Sequence, residues 1–207
     1  MRRPLLRAGT GAPSARPVDL LVVGLGNPGP EYAGTRHNVG AEAVEALAAR
    51  LGARLRRERS THARVALVRR DEEVLVLAVP ETYMNESGVA VAALVRRHHL
   101  ADLEHLVVVH DDLDLPTGAL RVKRGGGTAG HNGLRSIEAH LRSLEFVRVR
   151  IGISKPPGRM PGAEYVLRRP GRAEAEALAV ARELAADAVE LIAAKGVEPA
   201  MNALNGR

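Results

Sequence analysis

The sequence has no cysteine among its 207 residues. It therefore has no disulfide framework, no thiolate metal site and no cysteine nucleophile. Aromatic residues are also scarce, with one Phe, three Tyr and no Trp. Apolar residues still make up 45% of the chain, so the core must be built from aliphatic side chains. A chain of this length suits one domain, or one domain with a small appendage.

Long apolar runs are missing as well. No stretch approaches the roughly 20 apolar residues that a membrane-spanning helix needs. Residues 1–17 contain four Arg, three Pro and two Gly and show neither a helical nor a strand period. Their Leu5-Leu6 pair is too short for the apolar region of a signal peptide. We predict a flexible basic tail over residues 1–17 and a single domain over residues 18–207.

Positive charge is in excess, with a net charge of +6 and a pI near 10.4. Such a balance favours an anionic partner, and nucleic acid is the usual one for a basic domain. A general compositional preference for arginine would give the same excess without any such partner.

The chain is organised around residues 20–40. An apolar run from Leu20 to Val23 predicts a buried strand, and a loop rich in Gly and Pro follows it. This loop carries Asn27, Tyr32 and His37 before a helical pattern begins near Asn38. Open α/β sheets place their ligand sites in loops of this kind, at the carboxyl ends of buried strands.

The same loop contains a G-x-G-x-x-G pattern at Gly24–Gly29, as found in dinucleotide-binding proteins. That function requires a helix to open inside the motif, so that its N-terminus meets the pyrophosphate. Pro28 and Pro30 each lack a backbone N–H and disfavour helical geometry in the residue before them. The sequence therefore argues against nicotinamide binding.

Hydrophobic periodicity predicts strands and helices that alternate along the chain. Apolar or alternating runs predict strands at Leu20–Val23, Leu67–Val68, Val74–Val79, Leu106–Val109, Leu120–Lys123 and Phe146–Ile153. Apolar residues at helical spacing predict helices from Asn38 to Gly52, around Val91–His98, around Leu134–Leu141 and over Glu174–Lys195. This alternation favours an α/β fold with a parallel or mixed sheet.

Polar residues gather in the loops that follow these strands. The loops supply Asn27 with His37, then Asn85, then Asp111, then Asn132. An Asp can hold a His in the form that accepts a proton, and Asn amides can donate to a carbonyl oxygen as charge develops on it. No serine or cysteine nucleophile is clearly placed, so the pattern indicates attack by a water that His37 deprotonates.

Two further interpretations remain open at this point. The motif His110-Asp111-Asp112-Leu113-Asp114 could hold Mg²⁺ through two of its carboxylates. The run Gly125–Gly127 could cradle a phosphate, or simply let the backbone pass close to a partner. Each Asn of the set could also serve only to form a turn.

Four long motifs, in this order, resemble bacterial peptidyl-tRNA hydrolases. They are VVGLGNPGPEYAGTRHNVG (22–40), PETYMNESG (80–88), VVVHDDLDLPTGALRVKRGGGTAGHNGLRSI (107–137), and FVRVRIGISKP (146–156) followed by EYVL (164–167). The resemblance implies a single α/β domain with a mixed, twisted sheet between helices. It also implies hydrolysis of the ester that joins a peptide to the 3′-terminal ribose of tRNA.

The resemblance further assigns a role to each candidate residue. His37 matches the general base, Asp111 its carboxylate partner, and Asn27 the amide that recognises the peptide and rejects unblocked aminoacyl-tRNA. Other positions match groups that bind the substrate: Asn85, Asn132, Tyr32 and Tyr83 at the 3′ end, and Lys123 and Arg150 at the acceptor-stem phosphates.

The resemblance also implies a cytoplasmic monomer that binds tRNA without strong sequence specificity and uses neither metal nor cofactor. A second hypothesis is an RNA-binding module of the same fold that has lost catalysis. The presence of His37, Asp111 and the three Asn favours the enzyme.

Overall fold

A computed structural model describes residues 18–70, 73–100 and 102–205. The predicted tail, residues 1–17, lies outside these residues. The elements are β1 (Leu20–Gly24), α1 (Val39–Arg50), β2 (Arg56–Glu58), β3 (Ala63–Arg70), β4 (Glu73–Pro80), α2 (Ser87–Arg97), β5 (Leu106–Asp112), β6 (Leu120–Arg124), α3 (Asn132–Leu141), β7 (Val147–Gly152), α4 (Gly162–Val166), α5 (Arg172–Lys195) and α6 (Val197–Asn205).

The strands form one mixed sheet in the order β2-β3-β4-β1-β5-β7-β6. The central strands β4, β1, β5 and β7 run parallel, while β2, β3 and β6 pair antiparallel at the two edges. The predicted mixed α/β sheet between helices is therefore confirmed. Among the described residues, no helix is both long enough and apolar enough to cross a membrane.

Strand β1 is apolar throughout because both of its faces are covered. Leu20 and Val22 belong to one hydrophobic core, and Leu21 and Val23 belong to the other. Helices α1 and α5 pack into the first core, and α2 and α3 into the second. A strand that is covered on both faces loses the polar alternation of a half-exposed strand, which explains its continuous apolar run.

Helix α1 comes unusually close to the sheet at its first turn. A Cβ built on Gly40 would lie 2.3 Å from the carbonyl oxygen of Val109, and one on Gly24 would lie 2.4 Å from the carbonyl oxygen of Gly40. Both distances are too short for any side chain, so glycine is required at both positions. This close approach brings the residues just before α1 against the end of β5.

Three elements have no counterpart in the sequence prediction. Strand β2 is a short polar segment, Arg56–Glu58, held by its pairing with β3. Helix α4 has only five residues. Helix α6 contains Pro199 within its first turn, a position that tolerates proline because the missing N–H has no helical acceptor there. Strand β2 and helix α4 are too short to leave a period in the sequence. Helix α6 does have apolar residues at helical spacing, Val197, Met201 and Leu204, which the sequence prediction did not include.

Candidate active site

The candidate site lies at the carboxyl ends of the parallel strands. There, β1 leads into the loop that carries Asn27, β4 leads into residues 80–86, and β5 ends at Asp112. Residues 80–86 contain a short 3-10 helix, Met84–Glu86, where the sequence suggested only a loop. The N-terminus of α3 packs against the loop that follows β4. A Cβ built on Gly133 of α3 would be only 2.7 Å from Sδ of Met84 in that loop.

A 3-10 helix, Arg36–Asn38, holds three consecutive buried side chains immediately before α1. Each of them has a different anchor. Arg36 binds Glu174, His37 binds Asp111, and Asn38 exchanges two hydrogen bonds of 2.9 Å with the main chain of Asn27. This segment therefore joins the first loop, the end of β5 and the C-terminal helices.

His37 and Asp111 form a buried pair. Nδ1 of His37 lies 2.9 Å and 3.0 Å from the two carboxylate oxygens of Asp111. An ionised carboxylate can only accept hydrogen bonds, so Nδ1 carries the proton and Nε2 keeps its lone pair. Nε2 makes no hydrogen bond to any residue in the described ranges. The geometry leaves one imidazole nitrogen ready to take a proton.

A second histidine, His131, also donates to Asp111. Its Nδ1 accepts from the backbone N–H groups of Gly133 and Leu134, and so caps the N-terminus of α3. Its Nε2 therefore carries the proton, and it lies 3.0 Å from Asp111 Oδ1. Burial by itself raises the pKa of Asp111, but its electrostatic interactions and hydrogen bonds with His37 and His131 hold it well below its usual range.

A third histidine, His110, binds the main chain of the same aspartate. Its Nδ1–H donates to the carbonyl oxygen of Asp111 over 2.7 Å. Its Nε2 is buried and has no hydrogen-bond partner among the described residues. Burial, together with the nearby charge of His131, lowers the pKa of His110 to about 3. The ring is thus neutral at physiological pH, and it fixes the backbone that carries Asp111.

Asn27 has one side-chain oxygen fixed and one amide group available. Its Oδ1 accepts from the backbone N–H of Met84 over 2.7 Å. Because a backbone N–H can bond only to an acceptor, the orientation of the amide is determined. Its Nδ2 donates to no residue in the parts of the chain that the structure describes, so the site presents an N–H donor at this position.

The remaining residues predicted for the 3′ end lie at the surface of the same region. Tyr32 and Tyr83 meet edge to face, with ring centroids 6.2 Å apart, and Tyr83 is 51% exposed. Asn85 and Asn132 are both exposed. Asn85 follows Met84, which binds Asn27, and Asn132 follows His131, which binds Asp111. The structure therefore brings the predicted loops together.

One group of side chains, His37, Asp111 and His131, has its potential ligand atoms within 4.8 Å of one another. The donor set does not suit a metal ion, however. A metal on Nε2 of His131 would require the proton on Nδ1, but that atom accepts two backbone N–H groups. The network is instead complete with hydrogen bonds.

The Mg²⁺ alternative also loses support from the partners of the carboxylates. Asp112 binds Arg150, and Asp114 lies 3.2 Å from the ammonium of Lys155. Asp111 is occupied by His37 and His131. These three carboxylates therefore have separate partners instead of converging on one point.

Comparison with known proteins decides the family. The family model described as peptidyl-tRNA hydrolase matches residues 21–207. The chain belongs to the peptidyl-tRNA hydrolase family. It is 52% identical over 182 residues to the peptidyl-tRNA hydrolase of Frankia casuarinae, covering 88% of this chain and 91% of that one. It is 49% identical over 193 residues to that of Nocardia farcinica, covering 93% and 98%.

A solved structure agrees with this assignment. The crystal structure of the peptidyl-tRNA hydrolase from Acinetobacter baumannii has a TM-score of 0.85 and 36% identity, with 93% of this chain and 97% of that chain covered. The resemblance predicted from the four motifs is thus confirmed, and so is the fold that it implied.

Two cations that the peptidyl-tRNA hydrolase resemblance singled out lie on one face of the sheet, near its β6 edge. Lys123 and Arg148 are opposite each other in the β6–β7 pairing, and Arg150 follows two residues along β7. Lys123 is exposed and has no ion pair among the described residues. Arg150 differs, since its Nε donates to Asp112 over 2.7 Å.

The glycine run beside this face has a structural partner. Arg148 is buried and donates to the carbonyl oxygens of Gly126 and Gly127. Burial, and then the charge of Arg150, lower the pKa of Arg148. The carbonyl groups of Gly126 and Gly127 therefore hold a buried cation of the chain itself.

Sequence reasoning missed His110 and His131 as members of the site. Both stand next to residues that it did select, since His110 precedes Asp111 and His131 precedes Asn132. The sequence alone gives neither histidine a role beyond its place next to a selected residue. His110 binds the main chain of the residue next to it, whereas the contact of His131 with Asp111 depends on where the fold places the N-terminus of α3.

Proposed function

We propose that this chain hydrolyses the ester between the peptide and the 3′-terminal ribose of peptidyl-tRNA, and thereby recycles tRNA. The observation that carries the proposal is the His37–Asp111 pair with its unoccupied Nε2, in a chain of the peptidyl-tRNA hydrolase family. An ester has a better leaving group than an amide. A positioned base and a few N–H donors are therefore a sufficient set of groups for this reaction.

His37 acts as the general base in this proposal. Its Nε2 takes a proton from water as the water oxygen bonds to the ester carbonyl carbon. Asp111 stabilises the imidazolium that results, without taking the proton itself. The imidazolium then returns the proton to the ribose oxygen as the ester C–O bond breaks. The products are a peptide with a free carboxylate and a tRNA with a free 3′ end.

Asn27 recognises the peptide. Its amide orientation supports this role, because the group it presents is a donor and an N-blocked amino acid offers a carbonyl acceptor. An unblocked α-ammonium group would instead place a second donor opposite Nδ2. Such a mismatch leaves buried polar groups unpaired and gives strong discrimination.

The other residues bind the tRNA end. Asn85 and Asn132 position the 3′ end, the water and the carbonyl, and the rings of Tyr32 and Tyr83 stack on a terminal base. Lys123 and Arg150 contact acceptor-stem phosphates, which gives affinity without sequence readout. Lys123 has the freer charge, because Arg150 is already paired with Asp112.

The family also supports a cytoplasmic monomer that acts on its substrate without a cofactor or metal ion. The capping bonds of His131 agree with catalysis that does not pass through a metal at this cluster. The EDTA in the assay below tests the metal independence, and the elution volume in size-exclusion chromatography tests the monomer.

The test is release of N-acetyl-amino acid from N-acetyl-aminoacyl-tRNA in the presence of EDTA, beside unblocked aminoacyl-tRNA. We expect rapid cleavage of the blocked ester only. His37→Ala should abolish turnover while tRNA binding is largely kept. The matched control is His105→Ala, because His105 forms an exposed pair with Asp102 at the other end of β5.

Three outcomes would contradict the proposal. Tight tRNA binding without cleavage would favour the RNA-binding module. Inhibition by EDTA would indicate metal-dependent hydrolysis. A His37→Ala enzyme whose loss of affinity matches its loss of rate would remove the assignment of His37 as the base.

A further inference from the structure

The residue before His37, Arg36, is nearly buried and uses its whole guanidinium group. Its Nε and Nη2 donate to the two carboxylate oxygens of Glu174, each over 2.6 Å. Its Nη1 donates to the carbonyl oxygens of Tyr165 and Arg168 over 3.3 Å and 3.1 Å. The guanidinium carbon also lies 4.1 Å from the centre of the Tyr165 ring.

The main chain reinforces the same contact. The N–H of Arg36 donates to the carbonyl oxygen of Arg168 over 3.3 Å. In return, Arg169 donates to the carbonyl oxygens of Ala33 and Pro30. The loop before His37 is therefore bound along its length to the segment that joins α4 to α5.

The Arg36–Glu174 pair is a strong one for its position. Its side chains are only 9% and 20% exposed, and a bidentate guanidinium–carboxylate pair fixes both distance and angle. Burial by itself lowers the pKa of Arg36, but the hydrogen bonds and charge of Glu174 raise it above its ordinary value. The guanidinium therefore stays charged at neutral pH.

We propose that Arg36 and Glu174 are positioning residues, which tie the C-terminal helices to the turn that carries His37 and so hold its imidazole against Asp111. The two groups touch neither the substrate nor the reacting atoms in this role. Their effect passes through one peptide unit to His37, whose ring must keep both its Asp111 contact and an open Nε2. The inference rests on the proposed function.

The test compares steady-state hydrolysis of N-acetyl-aminoacyl-tRNA by wild type, Glu174→Gln, Glu174→Asp and Arg36→Lys. Glu174→Gln keeps the shape of the side chain but removes its charge, so the turn is held less firmly. We expect kcat to fall by about 10-fold, within the range that small misplacements of a catalytic group produce, while KM changes little. Arg36→Lys should behave alike, because an ammonium cannot make the bidentate pair.

Glu174→Asp supplies the rescue, since it retains the carboxylate, and its kcat should lie between those of wild type and Glu174→Gln. The matched control is Glu183→Gln. Glu183 is also on α5 and pairs with Arg50 of α1, but this exposed pair lies far along both helices from His37. It should leave kcat and KM at their wild-type values.

The possible results distinguish a failure of the positioning role from a failure of the proposed function. If the wild type does not cleave the blocked ester, the proposed function falls and the positioning role falls with it. If the wild type cleaves and Glu174→Gln has a normal kcat, only the positioning role is overturned. The role is also overturned if kcat falls equally in Glu183→Gln, or if the Glu174 variants change KM alone.

Discussion

At the residue scale, the site centres on the carboxylate of Asp111. Two histidines donate to it, and a third donates to its main-chain carbonyl. Each tautomer is fixed by a partner that can only accept or only donate. The Asp111 carboxylate accepts hydrogen bonds from His37 and His131 and also carries a negative charge, which a neutral side chain lacks.

We therefore expect Asp111→Asn to lower kcat by up to about 10⁴-fold, the loss found when the aspartate of a Ser-His-Asp triad becomes an amide. An amide carries no charge, so it cannot stabilise the imidazolium. Its NH₂ group in place of Oδ2 would also set a donor against the protonated Nδ1 of His37, which lies 3.0 Å from that oxygen. Steady-state kinetics with N-acetyl-aminoacyl-tRNA measure the change, and KM should stay within about threefold.

Asp102→Asn provides the control, because Asp102 forms an exposed pair with His105 at the other end of β5. It should leave kcat unaltered. An Asp111→Asn enzyme that retains wild-type kcat would show that the His37–Asp111 contact has no part in the rate.

At the element scale, the position of His37 depends on how closely α1 approaches the sheet. The helix starts directly after the 3-10 turn that carries His37, and its first turn contacts the main chain of β5 through Gly40. Interhelical and helix–strand spacing is normally set by side chains. Because Gly40 has no side chain, the backbone of α1 reaches the backbone of β5. This close approach places the loop before α1, and with it His37, beside the end of β5.

Gly40→Ala should destabilise the protein by about 2 kcal/mol or more. Overpacking costs roughly 1–3 kcal/mol and sometimes more, and the gain in helix propensity, about 1 kcal/mol, only partly offsets it. The added methyl group would meet the Val109 carbonyl, which belongs to the backbone of a central strand and cannot move aside cheaply. Urea unfolding at neutral pH measures the change.

Gly171→Ala is the comparison, since a Cβ there meets nothing within 4 Å. Its free energy of unfolding should stay within about 1 kcal/mol of wild type, as expected for a glycine replaced at a helix N-cap. Equal stability of the Gly40→Ala and Gly171→Ala proteins would show that α1 can move away from β5 freely.

At the scale of the whole molecule, the sheet separates two aliphatic cores and gathers the polar chemistry at one of its ends. One ionisable side chain, His110, is nevertheless buried, with only 3% of it exposed. The ring of His131 and the carboxylates of Asp111 and Asp112 lie around it. A histidine that stays neutral when folded makes stability depend on pH, because the unfolded chain can protonate it.

The pKa of His110 falls from 6.5 to about 3 on folding, so between these values the unfolded chain binds a proton that the folded chain does not. The free energy of unfolding therefore decreases as the pH falls below 6.5, by up to about 1.4 kcal/mol per pH unit from this residue. Urea unfolding of wild type and His110→Leu between pH 7 and pH 4.5 measures the slope, which should be shallower in the variant.

The window above pH 4.5 separates His110 from Asp111. The pKa of Asp111 is depressed on folding, so its contribution is fully present above its ordinary value of 3.8 and is lost only below it. Identical slopes for the two proteins would mean that His110 is protonated in the folded state as readily as in the unfolded one.

The sequence by itself determined the α/β class, the main helices and strands, and the loops that carry His37, Asn27, Asp111 and Asn132. It could do so because the burial of an element leaves a period in its own residues, and because the long motifs are local runs that identify a family. Strand β2, a short polar segment at the edge of the sheet, left no such period.

The tertiary structure decided which further side chains meet. The family resemblance had paired His37 with Asp111, but Arg36 and Glu174, which are 138 positions apart, are brought together by the fold alone. No periodicity links residues at such separations, because their contacts depend on how the helices and strands pack. For the same reason, only the fold reveals that Arg150 is paired with Asp112, that Lys123 has no ion pair with any residue the structure describes, and that three histidines converge on one aspartate.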